Sequence, residues 1–415
     1  MSVGYRILAC TCLTYVISQF YRSANAVIGP DLMRELHLSP EDLGILTGAF
    51  FITFSVSQIP VGIAIDRWGP RRTILVTLAI AFLGALWFAN GDGLAELTAA
   101  RIVLGFGCAA LLIAPMVLFS RWFAPEKFAT ISGILIAVGS LGVIASTIPL
   151  AWFSAQYGWR NAFYVTAGIT LVMGIASFFV LQDTPPNAST AGTDRASAKP
   201  ETLAETMRGV AEAIGNPNFK YLFVMFFNVY ATFITIMGLW SGPYLHDVHG
   251  LDSTARGQVL IYMAVASALS YFFWGPLDRI FNTRKWIIIP CTICQLFCVS
   301  VLAMLPGLGL LAATVIFTIM GVLNGITVVI FAHGRSIFPA HIAGRGMTAL
   351  NIGTMGGAAF QQVLTGYLMG AVTPIGQQPN EFAYRVVFGI QALLLLAAIV
   401  FYLRVPDAKP HAAKP

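Results

Sequence analysis

The residues with the clearest chemical potential form a row of polar side chains within the first apolar segment of the chain. Tyr15, Gln19 and Arg22 follow one another at i, i+4 and i+7, so on a helix they share one face. A guanidinium offers a planar fork of N–H donors that matches the oxygens of a carboxylate or phosphate. Because a charge inside an apolar segment is costly, Arg22 predicts an anion-binding site. The alternative is an arginine that reaches outward to the surface or pairs within its own helix bundle.

Polar side chains in the apolar segments of the second half are candidates for the same site. They are Tyr230, Asn324, Asn351 and Gln361. Each could instead be a hydrogen bond that holds two helices together. Three basic residues near segment ends, Arg101, His333 and Arg335, are predicted to have structural or gating roles. For His333 the alternative is a proton carrier.

The distribution of acidic residues bears on how movement of a solute could be driven. All 18 Asp and Glu residues fall in loops, in a linker or at segment ends. A buried carboxylate is the usual proton relay inside a membrane. The distribution therefore favours exchange, facilitated movement, or symport in which the carboxylate of the substrate carries the proton.

Signatures of enzymes and metal sites are missing from the sequence. There is no phosphate-binding Gly-Lys-Ser/Thr loop, no His-Glu metal pair and no nucleophile elbow. Cys291, Cys294 and Cys298 would share a helix face, but no His or carboxylate accompanies them, so we interpret them as apolar filler. We expect no catalytic residue, no metal and no cofactor.

The elements that must position these residues are membrane-spanning helices. The 415 residues are 57% hydrophobic and only 10% charged, which is too few charges to cover a soluble surface. A helix needs about 20 mostly apolar residues to cross a bilayer. Twelve segments qualify, which predicts an all-α membrane protein: 5–29, 42–65, 73–91, 96–119, 129–155, 160–181, 219–244, 254–277, 285–304, 308–332, 344–371 and 382–403.

The net charge of +6 reflects topology. If both termini are cytoplasmic, 18 of the 24 Lys and Arg residues fall on the cytoplasmic side, as the positive-inside rule requires. The charge therefore does not indicate a nucleic-acid surface. The expected partners are a small-molecule substrate and the lipid bilayer of an inner (plasma) membrane. We expect a multi-pass monomer with both termini in the cytoplasm.

The two halves of the sequence repeat each other. Asp66-Arg67 follows the second segment, and Asp278-Arg279 follows the eighth, 212 residues later. Gly29-Pro30 and Gly242-Pro243 are separated by 213 residues. This offset predicts two six-helix bundles related by duplication, at 1–183 and 219–415. Residues 184–218 are predicted to be a cytoplasmic linker whose second part, 201–215, is an amphipathic helix.

The loop after the second segment, GIAIDRWGPRR, resembles the signature loop of the major facilitator superfamily. The matching residues are Gly62, Asp66, Arg67, Gly69, Arg71 and Arg72, with a second copy at Asp278 and Arg279. The resemblance implies twelve transmembrane helices and a conformational latch. Asp66 could sit at the positive N-terminus of the eleventh span while the cytoplasmic side is closed. The alternative is that the arginines only signal topology.

Within that superfamily, residues 21–44 and the Arg121-Trp122-Phe123 sequence resemble the organophosphate:phosphate antiporters and the anion:cation symporters. The chain also resembles bacterial amino-acid carriers of the superfamily. Three features depart from these patterns. Thr235 stands where the antiporters have a second arginine, Cys108 where the symporters have a glutamate, and the Gly-Pro pair of drug exporters is missing from the fifth span.

These patterns together predict a secondary transporter that moves a small organic anion or zwitterion, a carboxylate or an amino acid, by alternating access. One alternative is an exporter of amphipathic drugs or metabolites. Another is a membrane sensor of its substrate with little flux.

Overall fold

The computed structural model of the protein describes residues 3–185, 211–339, 342–374 and 377–410, and these contain helices and no strand. Twelve helices cross the molecule in alternating directions. They are α1 (Val3–Ser23 and Asn25–Leu36), α2 (Pro40–Val56 and Gln58–Trp68), α3 (Pro70–Asn90), α4 (Leu94–Cys108 and Ala110–Trp122), α5 (Pro125–Ala145 and Ile148–Tyr157), α6 (Trp159–Val180), α7 (Phe219–Thr235, the π-helical turn Ile236–Trp240, and Ser241–Asp247), α8 (Ser253–Ile280), α9 (Lys285–Met304), α10 (Leu310–Asn324 and Thr327–Ile337), α11 (Ala343–Val372) and α12 (Glu381–Tyr402). The predicted twelve-helix fold is confirmed.

The helices form two bundles, α1–α6 and α7–α12. Most of the predicted linker, including residues 201–210 of its amphipathic helix, lies outside the described residues. Of the rest of that helix, residues 211–214 are helical. Because twelve helices separate the first described residue from the last, residues 3 and 410 lie on one side of the molecule, which we call the termini side; the other is the far side.

Hydropathy distinguishes two of the twelve helices from the others. Within the described ranges, nine helices are long and apolar enough to cross a membrane, and α2 makes a tenth if its two segments, bent by 42°, count as one. The other two are α1 and α11. Both bury polar groups: α1 buries Thr11, Thr14 and Ser18, and α11 buries Gln361 and Gln362. Their polarity is directed towards other helices, which explains why they are less apolar than a lipid-facing span.

The repeat in the sequence is visible as repeated local structure. Gly69, before α3, has φ of +82°, and Asn282, 213 residues later and before α9, has φ of +48°. A helix begins after each of these two residues, and an aspartate binds the backbone at its start. That aspartate comes just after the last helix of the same bundle. Asp183 accepts from the backbone N–H of Arg71 at 2.9 Å, and Asp407 accepts from that of Lys285 at 3.0 Å.

Interrupted helices surround the centre of the molecule. α1 breaks at Ala24 and α4 at Ala109. Their counterparts α7 and α10 are interrupted by the π-helical turn and at residues 325–326, within a few residues of the repeat offset. Breaks of this kind interrupt the regular i→i−4 bonding of the backbone. In membrane transporters they commonly mark a binding site.

The two bundles approach each other most closely on the far side. A Cβ at Gly44 of α2 would lie 2.8 Å from the Cα of Gly366 in α11, so only glycine permits this contact. Between α1 and α7, a Cβ at Gly242 would lie 1.7 Å from the carbonyl oxygen of Ala26. On the termini side, a Cβ at Gly62 of α2 would meet no atom within 4 Å. The described helices therefore close the far side and leave space around Gly62.

Candidate binding site

Arg22 lies in the last turn before the break of α1, with 5% of its surface exposed. Its Nη1 donates a long hydrogen bond of 3.4 Å to the hydroxyl of Tyr230, which belongs to α7 of the other bundle. Its Cζ lies 4.7 Å from the ring centroid of Phe54 in α2. Nε and Nη2 are buried and have no hydrogen-bond partner. The guanidinium thus sits between the bundles with two donor nitrogens unused.

No carboxylate of the described ranges forms an ion pair with Arg22. A buried cation without a counter-charge is costly, and an anion bound at Nε and Nη2 would remove that cost. The alternative prediction required the side chain to reach the surface or to pair within its own bundle. It does neither. Its placement favours the prediction of an anion site.

Tyr15 and Gln19 are brought to the same side of α1 as Arg22, as their spacing predicts. Tyr15 is 5% exposed and within electrostatic range of Arg22 and Tyr230. It packs on α5 so closely that a Cβ at Gly139 would lie 2.2 Å from its ring. The Oε1 atom of Gln19 is buried without a partner.

The polar candidates of the second half divide into two groups. Tyr230 and Asn324 are near the interrupted centre, and the amide nitrogen of Asn324 donates to the hydroxyls of Ser267 (2.9 Å) and Tyr271 (3.0 Å) in α8. Gln361 instead bonds to side chains of α7, donating to Asn228 at 3.1 Å. This favours its alternative prediction as a hydrogen bond between helices.

Asn351 is half-buried on α11. Its neighbour Ile352 offers a carbonyl that accepts from Ser55 of α2 at 2.9 Å, so α2 and α11 also meet at this level. Asn351 is therefore beside the boundary between the bundles. Its role as a ligand stays a prediction.

Tyr271 is a component of the central polar group that the sequence analysis missed. It lies one helical turn after Ser267 and within electrostatic range of Tyr15 and Tyr230. A tyrosine in an apolar segment is common at membrane interfaces, so its residue type alone gives little signal. The i, i+4 spacing of two hydroxyl residues in α8 was the only available clue.

Arg101 is placed where a structural role is favoured, and that role stays a prediction. It is fully buried in α4, and its Nη1 donates to the carbonyl oxygen of Tyr21 at 2.8 Å. This carbonyl lies just before the break of α1. The Cζ of Arg101 is 4.8 Å from the ring centroid of Phe50. Arg101 therefore supports the segment that carries Arg22.

His333 is held within the C-terminal bundle. Its Nε2 bonds to the carbonyl oxygen of Pro406 at 3.0 Å, and its Nδ1 bonds to the hydroxyl of Tyr402. Because a carbonyl can only accept, Nε2 carries the proton and Nδ1 accepts from Tyr402. Both ring nitrogens are occupied in a neutral tautomer, which favours a structural role over a proton carrier. Arg335 is exposed at the end of α10.

The predicted latch residues lie on the termini side. Asp66, Arg67 and Arg72 are exposed, and Arg279 is exposed in the second copy. Asp278 differs, because it is buried and pairs with Nε of its neighbour Arg284 at 3.0 Å. The start of α11, where Asp66 is expected to dock, adjoins residues 340–341, which are outside the described residues. The latch stays a prediction.

A charged contact on the far side was not predicted. Arg256 is 2% exposed in the first turns of α8. Its Nη2 lies 4.0 Å from Oδ2 of Asp31 in α1, so the pair joins the two bundles. Both residues line a cavity of about 490 Å³ on that side.

The cysteines do not form a site in the described part of the chain. Cys291 and Cys298 are buried, Cys294 is exposed, and all three are free. No group of three or more His, Cys, Asp or Glu side chains among the described residues is arranged to hold a metal ion. The arrangement fits the interpretation of these cysteines as apolar filler.

Comparison with protein families gives one match that covers most of the chain. The family described as Major Facilitator Superfamily matches residues 11–361 and 259–415. Two solved structures share the fold at low identity. One is a bacterial homolog of the human lysosomal transporter Spinster, inward-facing and occupied, with a TM-score of 0.76, 15% identity, and coverage of 96% of this chain and 95% of that one. The other is a mutant of the nucleoside transporter NupG, with a TM-score of 0.76, 12% identity, and coverage of 97% and 100%.

Curated relatives are similar over different lengths. The hexuronate transporter of Bacillus subtilis (strain 168) is 24% identical over 73% of this chain and 71% of its own. The putative tartrate transporter of Agrobacterium vitis is 22% identical over 77% of this chain and 74% of its own. The nitrate/nitrite transporter NrtP of Nostoc punctiforme is 26% identical over 44% and 38%.

Proposed function

The chain belongs to the major facilitator superfamily, and we propose that it is a secondary transporter that carries a small organic anion across the inner membrane by alternating access. Arg22 is the residue that binds the anionic group, with Tyr230, Tyr15 and Gln19 around it. A carboxylate is the expected anion, and an amino acid would present the same group.

The observation that carries this proposal is the unpaired guanidinium of Arg22 between the bundles. It is 5% exposed, and its Nε and Nη2 lack partners. A carboxylate is the common planar group that accepts from two guanidinium nitrogens at once. A hydrogen bond to a charged group contributes about 1.5–3 kcal/mol, so a bidentate pair would give useful affinity.

The relatives support the charge of the substrate. Those named above are called transporters of hexuronate, tartrate and nitrate or nitrite, and another is called a probable sulfoacetate transporter. These solutes differ in size and shape but all are anions. An exporter of neutral amphipathic compounds has no comparable support, because an unpaired buried cation would not favour such compounds.

Alternating access is supported by the unequal contacts on the two sides. The far side is closed by contacts such as Gly44 with Gly366, while space surrounds Gly62 on the termini side. The excess of Lys and Arg on the termini side supports a cytoplasmic location for both termini. In that orientation the closed far side faces away from the cytoplasm.

The test is direct binding to the purified protein, followed by counterflow in proteoliposomes. We expect small carboxylates to stabilise the protein against heating and to exchange across the membrane. Arg22→Lys keeps the charge but loses the planar fork, so we expect affinity to fall about tenfold or more. Arg6→Lys is the matched control, because Arg6 is on the same helix and exposed.

The outcomes separate the proposal from its rivals. Full affinity and transport in Arg22→Lys would remove Arg22 from the site. Binding without any counterflow would indicate a sensor. Heat stabilisation by neutral amphipathic compounds but by no anion would favour the exporter.

A further inference from the structure

We infer that the site has a second half on the C-terminal bundle that recognises a hydroxyl group, so that the substrate is a hydroxylated carboxylate. The second half consists of Asn324, Tyr271 and Ser267, which we call the hydroxyl cluster. This inference rests on the proposed function, since it takes Arg22 to bind the carboxylate of the same molecule.

The hydrogen bonds of Asn324 leave its carbonyl oxygen unused. Asn324 is 3% exposed, and its two N–H groups are both occupied by Ser267 and Tyr271. Its Oδ1 is buried and has no partner among the described residues. Most buried acceptors in proteins have a hydrogen-bond partner, so an unpartnered oxygen next to the central polar residues needs an explanation. The oxygen is therefore available to a ligand.

The two hydroxyls of the cluster leave a donor unused as well. Ser267 and Tyr271 each accept from Asn324, and they are one turn apart on α8. Even a bond between the two hydroxyls would use only one of their two protons. One O–H group therefore remains to donate.

A free acceptor beside a free donor is the complement of a hydroxyl group, which both donates and accepts. Turning the Asn324 amide over does not change this conclusion. Its oxygen would then accept from both hydroxyls, its N–H groups would be the free donors, and the hydroxyl oxygens would be the free acceptors. A carboxylate would be a poorer partner, because it cannot donate to the free acceptor.

The hydroxyl cluster and Arg22 lie on opposite sides of the same central region. Tyr230 receives the bond from Nη1 of Arg22 and is within electrostatic range of Tyr271. Asn324 also ends the first segment of α10, at one of the breaks that surround the centre. A hydroxylated carboxylate could therefore contact the N-terminal bundle with its carboxylate and the C-terminal bundle with a hydroxyl.

The first test compares pairs of carboxylates that differ only in hydroxylation. Butyrate and 2,3,4-trihydroxybutyrate, and hexanoate and gluconate, are titrated into the purified protein, and Kd is measured by calorimetry. We expect the hydroxylated member of at least one pair to bind about tenfold or more tightly, because its hydroxyls meet the free donor and acceptor. Equal affinities within both pairs would overturn the inference.

The second test changes the cluster. Tyr271→Phe and Asn324→Leu should reduce the preference for the hydroxylated member to about twofold or less, with little change for butyrate and hexanoate. Tyr262→Phe is the control, since Tyr262 is on the same helix and 57% exposed. A preference that persists in both cluster variants would assign hydroxyl recognition elsewhere and overturn our assignment.

The test distinguishes this inference from the proposed function. If the four carboxylates bind in an Arg22-dependent way but without a hydroxyl preference, the anion site stands and the hydroxyl cluster does not. If none of them binds, or Arg22→Lys changes nothing, the anion site itself is wrong. Should Asn324→Leu fail to fold, Tyr271→Phe alone decides the assignment, because it removes a single oxygen atom.

Discussion

Arg22 and Arg101 show how one residue type takes two roles inside the same bundle. Arg101 uses one N–H to hold the backbone at Tyr21 and lies against the ring of Phe50. Arg22 instead reaches across to Tyr230 of the other bundle, although Nε and Nη2 lack a hydrogen-bond partner in both arginines. The first arrangement fixes the end of a helix segment. The second leaves binding capacity at the boundary between the bundles.

Tyr230 should orient Arg22, and Tyr230→Phe tests this. The variant removes the oxygen that accepts from Nη1 but keeps the ring. A neutral hydrogen bond contributes about 1 kcal/mol, so we expect carboxylate affinity to fall about fivefold while expression is unchanged. Calorimetry with gluconate is the measurement. Unchanged affinity would show that Arg22 is oriented without Tyr230.

Gly139 should control the position of Tyr15. In Gly139→Ala the new Cβ would lie 2.2 Å from the Tyr15 ring, so the ring must move away from α5. We expect reduced substrate affinity in a protein that still folds, since Tyr15 borders the site around Arg22. Gly168→Ala in α6 is the control, because a Cβ there meets no atom within 4 Å. Equal affinities in the two variants would separate Tyr15 from the site.

The candidate site was partly predictable from residue types. A charged or amide side chain in an apolar span is conspicuous, which is how Arg22 and Asn324 were selected. Their partners were not predictable, because these depend on which faces of distant helices meet. For the same reason Tyr271 was missed, and so was the contact of Arg256 with Asp31.

At the scale of elements, span positions followed directly from hydropathy, whereas breaks did not. The first span was predicted as 5–29, while α1 continues to Leu36 after its break at Ala24. No proline or glycine stands at Ala24 or Ala109 to announce a break. Such breaks depend on tertiary partners, of which Arg101 at the Tyr21 carbonyl is an example.

The aspartate at the start of α9, Asp407, leads to a prediction about how stability depends on pH. Burial raises the pKa of Asp407, but bonds from Thr283 and from the backbone N–H groups of Lys285 and Arg284 outweigh it and lower that pKa overall. A cap of this kind contributes about 1 kcal/mol. We expect Asp407→Asn to lower the melting temperature in detergent.

The pH dependence of that effect has a definite sign. A carboxylate with a lowered pKa in the folded state contributes its stability above the unfolded pKa and loses it as pH falls through the folded pKa. The difference in melting temperature between wild type and Asp407→Asn should therefore be constant from pH 5 to 8 and shrink below roughly pH 4. A difference that disappears near pH 6 would assign the effect to another group.

At the scale of the whole molecule, the two sides are held by different residues. Asp31 and Arg256 join the bundles on the far side, together with the glycine contacts of α1 with α7 and of α2 with α11. On the termini side, Asp66 is predicted to act as a latch that forms when that side closes. The two devices should therefore have opposite effects on the population of open and closed states.

Removing each device in turn tests this balance. Asp66→Asn should increase the population open towards the termini side, because the closed form loses its latch. Arg256→Gln should decrease that population, because the far side loses the ion pair between Asp31 and Arg256 that joins the bundles. Arg6→Gln, at an exposed position of α1 on the termini side, is the control. Single cysteines on each side, labelled in membranes with an impermeant maleimide, report the populations.

The double variant Asp66→Asn with Arg256→Gln decides whether the two contacts bias a single equilibrium. Since they are on opposite sides of the molecule, their effects on the free energy should add. Their opposite signs should then return the labelling pattern towards that of the wild type. If the double variant instead shows the labelling pattern of one single variant, the two sides open independently. A single equilibrium between two alternating states would then be wrong for this protein.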